Sequence, residues 1–463
     1  MGQGTMPSAV KLSASLVASA IAVLALGVMP PAAAGALSPL PKGAEISLRG
    51  CTYGPGETHN GRESGQYLVD RNAYYAIVFV PTDLPGGHFR FRGTYPRARW
   101  FSFESYDEDL ASQGVIADTE IAPDPGSINP FYVGDKYKKN QHYTVNVLMV
   151  PPSERAHPTP ENTLYSGYRE NPNYGDVETS AVDGLLYRVY ASPGTPEGNV
   201  PLPTLSWVVE NPETNPFKEE AEVCAAMHAA AADQTTVLTL NQILAQRFSN
   251  PTLSPDEKDF NVPTDEVPRD PPYVNVIRPA TNGYQGAYFN SKTPYIFFRP
   301  NGELYGDFVA VRFKAPTFAD FPRKPMTGNE QVRYWSWCDD QFVSPVNITI
   351  GCLRDDQFKL EPDGYATLVI SEESQRPVVK GKPWQNWLPW PGGGADVVMR
   401  QIDPNPATFP QSPYFYPVLD EDDALDYLLG VVFEEQTKEW MGEYFPVVRF
   451  CTREKFEHNE CFS

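Results

Sequence analysis

The order of apolar and polar residues along the first half of the chain predicts short β-strands separated by turns. Residues Tyr75 to Val80, YAIVFV, form a continuous apolar run that ends at a Pro-Thr-Asp turn, as a buried strand would. Residues Arg97 to Tyr106, RARWFSFESY, alternate with a period of two, which places Phe101 and Glu104 on opposite faces. Further strands are predicted at Val115 to Ile121, Tyr143 to Val150, Leu185 to Ala191 and Leu205 to Val209.

A change of composition interrupts this strand pattern near the middle of the chain. Residues Phe217 to Phe248 lack proline and glycine and are rich in Ala, Glu, Gln and Leu, so they predict one or two helices. A Pro/Asp-rich linker from Asn250 to Pro272 follows and marks a domain boundary. The polar connection from Pro151 to Asp183 is too long for a plain hairpin loop, and long loops often carry function.

The second half of the chain repeats the first, with five matching segments in one order. Arg333-Tyr334-Trp335-Ser336-Trp337 matches Arg99-Trp100-Phe101-Ser102-Phe103, and an aspartate soon follows each copy. The other four pairs are Phe308 to Phe313 with Tyr75 to Val80, Ile348 to Leu353 with Val115 to Ile121, Ala366 to Ile370 with Val145 to Val150, and Ala395 to Ile402 with Gly184 to Tyr190. We therefore predict an internal duplication.

Three motifs of the second half resemble a known family. They are Arg333 to Ser336 (RYWS), Asp363 to Ile370 (DGxxxLxI) and Asn386 to Pro389 (NWLP). Together they are similar to the bacterial domain-of-unknown-function family numbered twelve-fourteen, over residues 305–406 and more faintly over 73–192, where no NWLP is present. The resemblance implies antiparallel sandwiches of jelly-roll type in exported proteins, and it implies no settled activity.

We therefore expect a mainly β protein of tandem, antiparallel, jelly-roll-like sandwiches with a helical insertion between the copies. The predicted divisions are a signal peptide over 1–36, a first copy over 37–215, a helical insert and linker over 216–262, and a second copy over 263–463 with a short C-terminal helix. The apolar run Leu12 to Val28 and the small residues Ala34-Gly35-Ala36 predict cleavage before Leu37, although a membrane anchor is an alternative.

Charge and cysteine content agree with a secreted or extracytoplasmic protein. With 58 acidic and 37 basic side chains the net charge is −21, which disfavours nucleic acid and anionic membrane surfaces as partners. All six cysteines follow the signal, where the compartment is oxidising. The first pairings expected from sequence proximity are Cys338 with Cys352 and Cys451 with Cys461, and Cys51 with Cys224 remains by elimination.

The best catalytic candidates in the sequence are carboxylates. Nucleophile-elbow, Walker, dinucleotide-binding and zinc-protease motifs are missing, and the six histidines are scattered. Glu104 and Asp107 follow one aromatic strand, near Asp109, and Asp339 and Asp340 follow its copy, so two such groups could divide acid and base roles in glycoside cleavage. The alternative is that these acids end strands or pair with Arg97, Arg99 and Arg333.

No cofactor is expected, but calcium is an alternative because two acidic runs offer hard oxygen ligands. These runs are Asp107 to Asp109, with Gly114 nearby, and Asp420 to Asp423. Neither run matches an EF-hand loop, and the second precedes an apolar segment, Ala424 to Phe433, whose helix N-terminus acids would suit.

Aromatic side chains supply the candidate ligand site. Trp384, Trp387 and Trp390 are spaced by three residues ahead of Gly392 to Gly394, and such rings could stack on sugars, or else plug one end of the sandwich. Arg99 and Arg333, beside the repeated aromatic strands, are further ligand-binding candidates. We expect a protein that binds a carbohydrate or small apolar ligand; the alternatives are a carboxylate-dependent hydrolase or lyase and a structural envelope protein.

Overall fold

The computed structural model describes residues 38–54, 58–61, 69–108, 111–170, 177–233, 274–277, 289–298, 306–343, 346–390, 395–416 and 434–463. The predicted signal peptide, the linker 250–272 and the acidic run Asp420 to Asp423 lie outside these residues. The described part from Pro39 to Ser463 belongs to one compact unit.

The described residues of the first repeat form twelve strands, and ten of these lie in two facing sheets. Their order is β1-β12-β4-β7-β8 in one sheet and β2-β3-β11-β5-β6 in the other, and β9 and β10 form a separate ribbon. The strands are β1 (Glu45–Ser47), β2 (Thr58–Asn60), β3 (Ala73–Pro81), β4 (Gly87–Thr94), β5 (Trp100–Tyr106), β6 (Ser112–Ala117), β7 (His142–Met149), β8 (Thr163–Ser166), β9 (Tyr168–Glu170), β10 (Val177–Thr179), β11 (Val182–Tyr190) and β12 (Thr204–Val209).

The second repeat has the same plan. Its sheets are β13-β14-β22-β16-β17 and β21-β18-β15-β23, and β19 and β20 form a ribbon. The strands are β13 (Val274–Ile277), β14 (Tyr295–Phe298), β15 (Phe308–Lys314), β16 (Tyr334–Val343), β17 (Val346–Arg354), β18 (Tyr365–Ser371), β19 (Val378–Val379), β20 (Lys382–Pro383), β21 (Trp387–Pro389), β22 (Ala395–Ile402) and β23 (Val447–Cys451).

The two repeats agree in register as well as in strand order. In both, a bulge follows the same point of the aromatic strand, between Ser105 and Tyr106 in β5 and between Asp339 and Asp340 in β16. In both, one strand pair is parallel within an otherwise antiparallel sandwich, β7 with β8 and β18 with β21. The prediction of a mainly β fold is therefore confirmed, and the duplication extends to single hydrogen-bond registers.

One of the five predicted correspondences is wrong. The run Tyr75 to Val80 lies in β3, in the sheet that contains β5, whereas Phe308 to Phe313 lies in β15, in the opposite sheet. The equivalent of β15 is β4. β15 pairs with β18, whose other neighbour is the parallel strand β21, and β4 pairs with β7, whose other neighbour is the parallel strand β8. The equivalent of β3 is β14, which pairs with β22 as β3 pairs with β11.

The connection from Pro151 to Asp183 also proves to be more than a loop. It carries β8, β9 and β10, and β8 occupies the place that β21 has in the second repeat. Asn162 bridges to the backbone of Ala122 as Asn386 bridges to that of Lys359, so Asn162 to Tyr165 is the first repeat's counterpart of the NWLP motif.

Each repeat has its own apolar core, and a third cluster joins them. Alternate side chains of β5, β7 and β12 fill the first core, including Phe101, Val145 and Trp207, and Trp335 and Trp337 lie in the second. The third cluster packs the outer faces of β5, β11, β16 and β22 against each other through Ala73, Trp100, Ala117, Tyr190, Ala191, Tyr334 and Ile402. The two sandwiches therefore contact each other face to face along equivalent strands.

Helices and disulfides complete the fold. Within the described ranges the helices are α1 (Glu220–Asp233), α2 (Glu434–Met441) and α3 (Arg453–Glu457), so the described part of the predicted helical insert is one helix. The disulfides are Cys51–Cys224, Cys338–Cys352 and Cys451–Cys461, which confirms the three expected pairings. Three disulfides indicate an oxidising, extracytoplasmic environment. Among the described residues, no helix is both long and apolar enough to cross a bilayer.

Candidate functional site

Two adjacent buried aspartates, Asp339 and Asp340, lie within β16 rather than after it as the sequence suggested, and they are unusual polar groups of the second repeat. The strand alternates, so Trp335, Trp337 and then Asp339 face the interior of the sandwich, while Tyr334, Ser336, Cys338 and then Asp340 face the first repeat. Both aspartates are fully buried. Neither accepts a hydrogen bond from any residue within the described ranges. Because burial of an uncompensated carboxylate is costly, a functional role is a reasonable hypothesis for this pair.

Asp339 lies among groups of the NWLP segment. The carboxylate oxygen Oδ1, the Pro389 ring and the Leu388 side chain converge on the space above Gly351, where an added methyl group would come within 2.9, 3.1 and 3.3 Å of them. Burial, and next the neighbouring charge of Asp340, raises the pKa of Asp339 well above its usual range. The backbone N–H groups of Gly351 and Asp339 oppose this rise but lie outside hydrogen-bond geometry. Its burial therefore favours the protonated form of the Asp339 carboxyl group.

Asp340 faces a different environment, across the strand from Asp396. Burial raises its pKa to about 7, and the charge of Arg400 opposes the rise. The hydroxyl of Thr349 is directed to the carbonyl oxygen of Val69, at 2.9 Å, so it is not available to Asp340. Adjacent residues of one strand point to opposite faces, so Asp339 and Asp340 cannot flank a single bond of a substrate.

The equivalent residues of the first repeat are satisfied structural groups. Ser105, at the position of Asp339, donates to the carbonyl oxygen of Tyr165 at 2.7 Å. Tyr106, at the position of Asp340, donates to the carbonyl oxygen of Phe289 at 2.6 Å. The unpaired acids therefore belong to the second repeat alone, among the described residues, and divergence of the copies produced them.

Glu104, a predicted catalytic residue, is part of a buried ion pair. Its carboxylate accepts from Arg188 and from the Ser112 hydroxyl, at 2.5 and 2.8 Å, and from the backbone N–H of Ser291 at 3.0 Å. The hydroxyl of Ser291 donates to it as well. The structure therefore places Glu104 as a link between the repeats, in an ion pair as the alternative expected, but its partner is Arg188 and not Arg97, Arg99 or Arg333.

Asp107, the second predicted catalytic residue, closes a turn. Its carboxylate accepts from the backbone N–H of Ala111 at 2.9 Å, and its own N–H donates to the Ala111 carbonyl at 3.0 Å. Asp109, which the calcium alternative needs, lies outside the described residues. The contacts of Asp107 match the turn role that short acidic side chains often have.

Arg99 and Arg333, predicted ligand contacts, hold the two repeats together. Arg333 donates to both oxygens of Asp118, at 2.8 and 2.9 Å, and to the carbonyl oxygen of Arg99 at 2.7 Å. Arg99 pairs with Asp355, which is the counterpart of Asp118. Both arginines are buried. Their equivalent environments support the duplication and leave no free face for a ligand.

The three tryptophans do not share a face. Trp384 and Trp387 join a cluster on the outer surface of the sheet β21-β18-β15-β23, whereas Trp390 packs against the inner core. Trp384 lies edge-on to Phe456 with ring centroids 5.0 Å apart, and Arg376 covers the ring of Trp387 at 4.5 Å. Their spacing therefore does not produce one aromatic platform, and Gly392 to Gly394 lie outside the described residues.

One group of possible metal donors occurs at the boundary between the repeats. A carboxylate oxygen of Asp70 and the sulfurs of Cys338 and Cys352 lie within 4.8 Å of one another. The two sulfurs are bonded to each other, so neither offers a thiolate lone pair to a metal.

Sequence reasoning missed the buried arginines and the close approach at Gly351. Arg188 and Arg400 lie at matching positions of β11 and β22, opposite Ser102 and Ser336. The matching segments GLLYRVY and ADVVMRQI contain both arginines, so the repeat itself held the signal. Nothing local marks Gly351, because its neighbours come from β16 and β21.

Comparisons with known proteins do not show a family for this chain. No family model matches the chain and no curated protein does, so the resemblance to family twelve-fourteen stays a prediction. An uncharacterised protein of Burkholderia cenocepacia shares 11% identity with a TM-score of 0.41, over 73% of this chain and 74% of that one. The VPA0106 protein of Vibrio parahaemolyticus shares 10% with a TM-score of 0.32, over 79% and 90%.

Proposed function

We propose that this is a secreted binding protein that takes a small neutral ligand, such as a sugar, at the Asp339 end of the second sandwich. The observation that carries the proposal is the buried carboxyl group of Asp339, which has no hydrogen-bond partner among the described residues and lies beside Leu388 and Pro389. A neutral acid can donate a hydrogen bond to an uncharged oxygen, and Trp390, half-buried next to Pro389, offers an apolar ring. The disulfides support export.

Binding assays on the mature protein test this proposal. A panel of neutral mono- and oligosaccharides and small cyclic alcohols is screened by calorimetry, and any hit is repeated on Asp339→Ser, which installs the residue of the first repeat. We expect about tenfold or greater loss of affinity. This corresponds to ~1.4 kcal/mol of binding free energy, the size expected when one hydrogen bond between uncharged groups is lost. Trp390→Ala should weaken binding as well.

A matched control comes from the other face of the same segment. Trp384→Ala removes an aromatic ring that packs on Phe456 rather than on the inner core, so affinity should remain within about twofold of the wild type. Equal losses in Trp384→Ala and Trp390→Ala, or unchanged affinity in Asp339→Ser, would place the ligand elsewhere.

A carboxylate-dependent hydrolase is a second candidate, because a carboxyl group with a raised pKa suits a general acid. Asp339 is the predicted catalytic residue that retains this property, since Glu104 and Asp107 are held by structural contacts. Product analysis of each bound oligosaccharide distinguishes the candidates: cleavage that disappears in Asp339→Asn indicates an enzyme, and an intact ligand indicates a binding protein.

A further inference from the structure

The disulfide Cys338–Cys352 joins two neighbouring strands at directly opposite positions. Cys338 in β16 and Cys352 in β17 are partners in the antiparallel register, and β17 is the edge strand of its sheet. Cys338 is fully buried against the first repeat, whereas Cys352 is half-buried. Of the two cysteines, Cys352 is therefore the one on the side from which a thiolate from outside would approach.

In the first repeat, the residue equivalent to Cys338 carries a negative charge that its neighbours stabilise. Its counterpart there is Glu104, because Glu104 pairs with Val115 as Cys338 pairs with Cys352. The Glu104 carboxylate is held by Arg188, the hydroxyl of Ser112 and the backbone N–H of Ser291.

The second repeat keeps the counterparts of these donors around the disulfide. Arg400 occupies the place of Arg188, and Thr349 that of Ser112. The backbone N–H of Arg71, the counterpart of Ser291, donates to the sulfur of Cys352 at 3.3 Å. The counterpart of the backbone donor therefore contacts a sulfur of the disulfide, and Arg400 keeps its matching position in the neighbouring strand, whereas the Thr349 hydroxyl donates to Val69.

Other charged groups also lie near the Cys338–Cys352 disulfide and affect the stability of a thiolate there. Asp70 lies within 4.8 Å of both sulfurs, but its carboxylate accepts from Tyr334, Ser336 and the N–H of Asn72, at 2.8, 2.6 and 2.8 Å. These donors offset much of the repulsion that Asp70 would exert on a thiolate. Asp340 and Asp396 add negative charge on the same face, and the Arg71 side chain binds the carbonyl oxygens of Thr349 and Ile350.

We propose that Cys338–Cys352 is an exchange-active disulfide, opened by an extracytoplasmic dithiol through attack on Cys352. The attacking thiolate forms a bond to the Cys352 sulfur, and the S–S bond breaks with its electron pair on Cys338. The second thiol of the reductant then attacks the reductant's own sulfur in the mixed disulfide, the bond to Cys352 breaks with its electron pair on Cys352, and the reductant leaves with its two sulfurs joined. Two electrons and two protons pass from the dithiol to the protein, so the partner is a protein or small molecule with two vicinal thiols.

Glutathione tests the direction of attack, because it carries no second thiol that could resolve the mixed disulfide within one molecule, so acid traps that species. The folded, fully oxidised mature protein is incubated with reduced glutathione at neutral pH, quenched with acid and mapped by mass spectrometry. We expect glutathione on Cys352 and a free thiol on Cys338, formed about tenfold faster than any adduct at the other two disulfides. Glutathione on Cys338, or earlier opening of Cys51–Cys224 or Cys451–Cys461, would overturn the proposal.

The stabilisation of the leaving thiolate is measured separately. Cys352→Ser leaves Cys338 as a single buried thiol, and Cys461→Ser leaves Cys451 as its matched control. The ultraviolet absorbance of the thiolate against pH should give a Cys338 thiol pKa at least one unit below the ordinary value of about 8.5, while buried Cys451 titrates at or above it. A Cys338 value equal to that of Cys451 would show that the site does not favour the thiolate.

Discussion

The guanidinium of Arg333 and the carboxylate of Asp118 form a bidentate ion pair, with both oxygens bound at 2.8 and 2.9 Å, across the boundary between the two repeats. Arg99 and Asp355 form the equivalent pair, in which the first repeat supplies the arginine and the second supplies the aspartate. Each aspartate also accepts from the backbone of its own aromatic strand, Asp118 from Phe101 and Asp355 from Trp335. The two repeats are thus joined about an approximate two-fold axis, as a symmetric dimer would be.

Loss of one arginine from this arrangement should be strongly destabilising. Arg333→Ala leaves the buried Asp118 carboxylate without its charge partner, so we expect the free energy of unfolding to fall by about 3–5 kcal/mol. The matched control is Arg323→Ala, because Arg323 also contacts two aspartates but is largely exposed, and its loss should cost below about 1 kcal/mol. Urea titrations of both variants measure the difference. Equal costs would show that the boundary pair contributes little.

The presence of the strands could be predicted from the sequence more readily than the sheet to which each strand belongs. The alternation in RARWFSFESY and the repeated Arg-aromatic pattern identify β5 and β16 because side chains in strands alternate between faces. The runs YAIVFV and FVAVRF look equivalent because both are apolar on both faces, and such a run carries no information on which sheet it joins. Its true counterpart is revealed by Tyr75 and Tyr295, which lie opposite Arg188 and Arg400 in the sheets.

The candidate site could likewise be predicted only in part, because the sequence does not show which distant residues contact each acid. The acids were visible in the sequence, but their fates depend on distant partners: Glu104 is held by Arg188 and Ser291, which are 84 and 187 residues away. Asp339 lacks such a partner among the described residues, and the Pro389 ring and the Leu388 side chain converge with it above Gly351. Sequence spacing cannot distinguish these outcomes, since both acids lie in similar aromatic strands.

Stability should decrease as the pH rises from about 4 to about 7. Burial raises the folded-state pKa of Asp340 to about 7, so over this interval the unfolded chain loses a proton that the folded protein keeps. The folded state binds more protons, and its free energy of unfolding therefore falls with pH and levels off above the raised pKa. Asp118, whose pKa burial raises to about 6, adds to the same slope.

Two variants test this pH dependence. Asp340→Asn removes one titrating group, so its urea midpoint should fall less steeply between about pH 4 and pH 7 than that of the wild type. Asp356→Asn is the control: burial would raise the pKa of Asp356, but the hydrogen bond and charge of Arg354 lower it, so its stabilisation is lost only as pH falls below the ordinary value. Parallel wild-type and Asp340→Asn curves would contradict the assignment.

The three disulfides should differ in their contribution to stability according to the length of chain they close. Cys51–Cys224 spans 173 residues, whereas Cys338–Cys352 and Cys451–Cys461 span 14 and 10. The loop-entropy relation gives about 5 kcal/mol for the first and about 3 kcal/mol for each of the others, as upper values. Pairwise Cys→Ala variants compared by urea denaturation measure the order, and a larger loss for either short loop would show that native contacts outweigh chain entropy.

Asn162 and Asn386 offer a comparison within one molecule, because they make the same contacts in the two repeats. Each side chain accepts from and donates to the backbone of one residue, Ala122 for Asn162 and Lys359 for Asn386, at 2.6 to 2.9 Å. Replacement by alanine leaves backbone groups unsatisfied in both, which should cost about 1–3 kcal/mol.

The two positions differ in backbone conformation, and that difference predicts opposite responses to glycine. Asn162 has φ of 55°, in the left-handed region, and Asn386 does not have a positive φ. Alanine at 162 therefore adds strain of about 1 kcal/mol that glycine avoids, so Asn162→Gly should be more stable than Asn162→Ala. At 386 glycine only adds unfolded-state entropy, so Asn386→Gly should be less stable than Asn386→Ala. Urea denaturation of the four variants checks this reversal, and the same order at both positions would refute it.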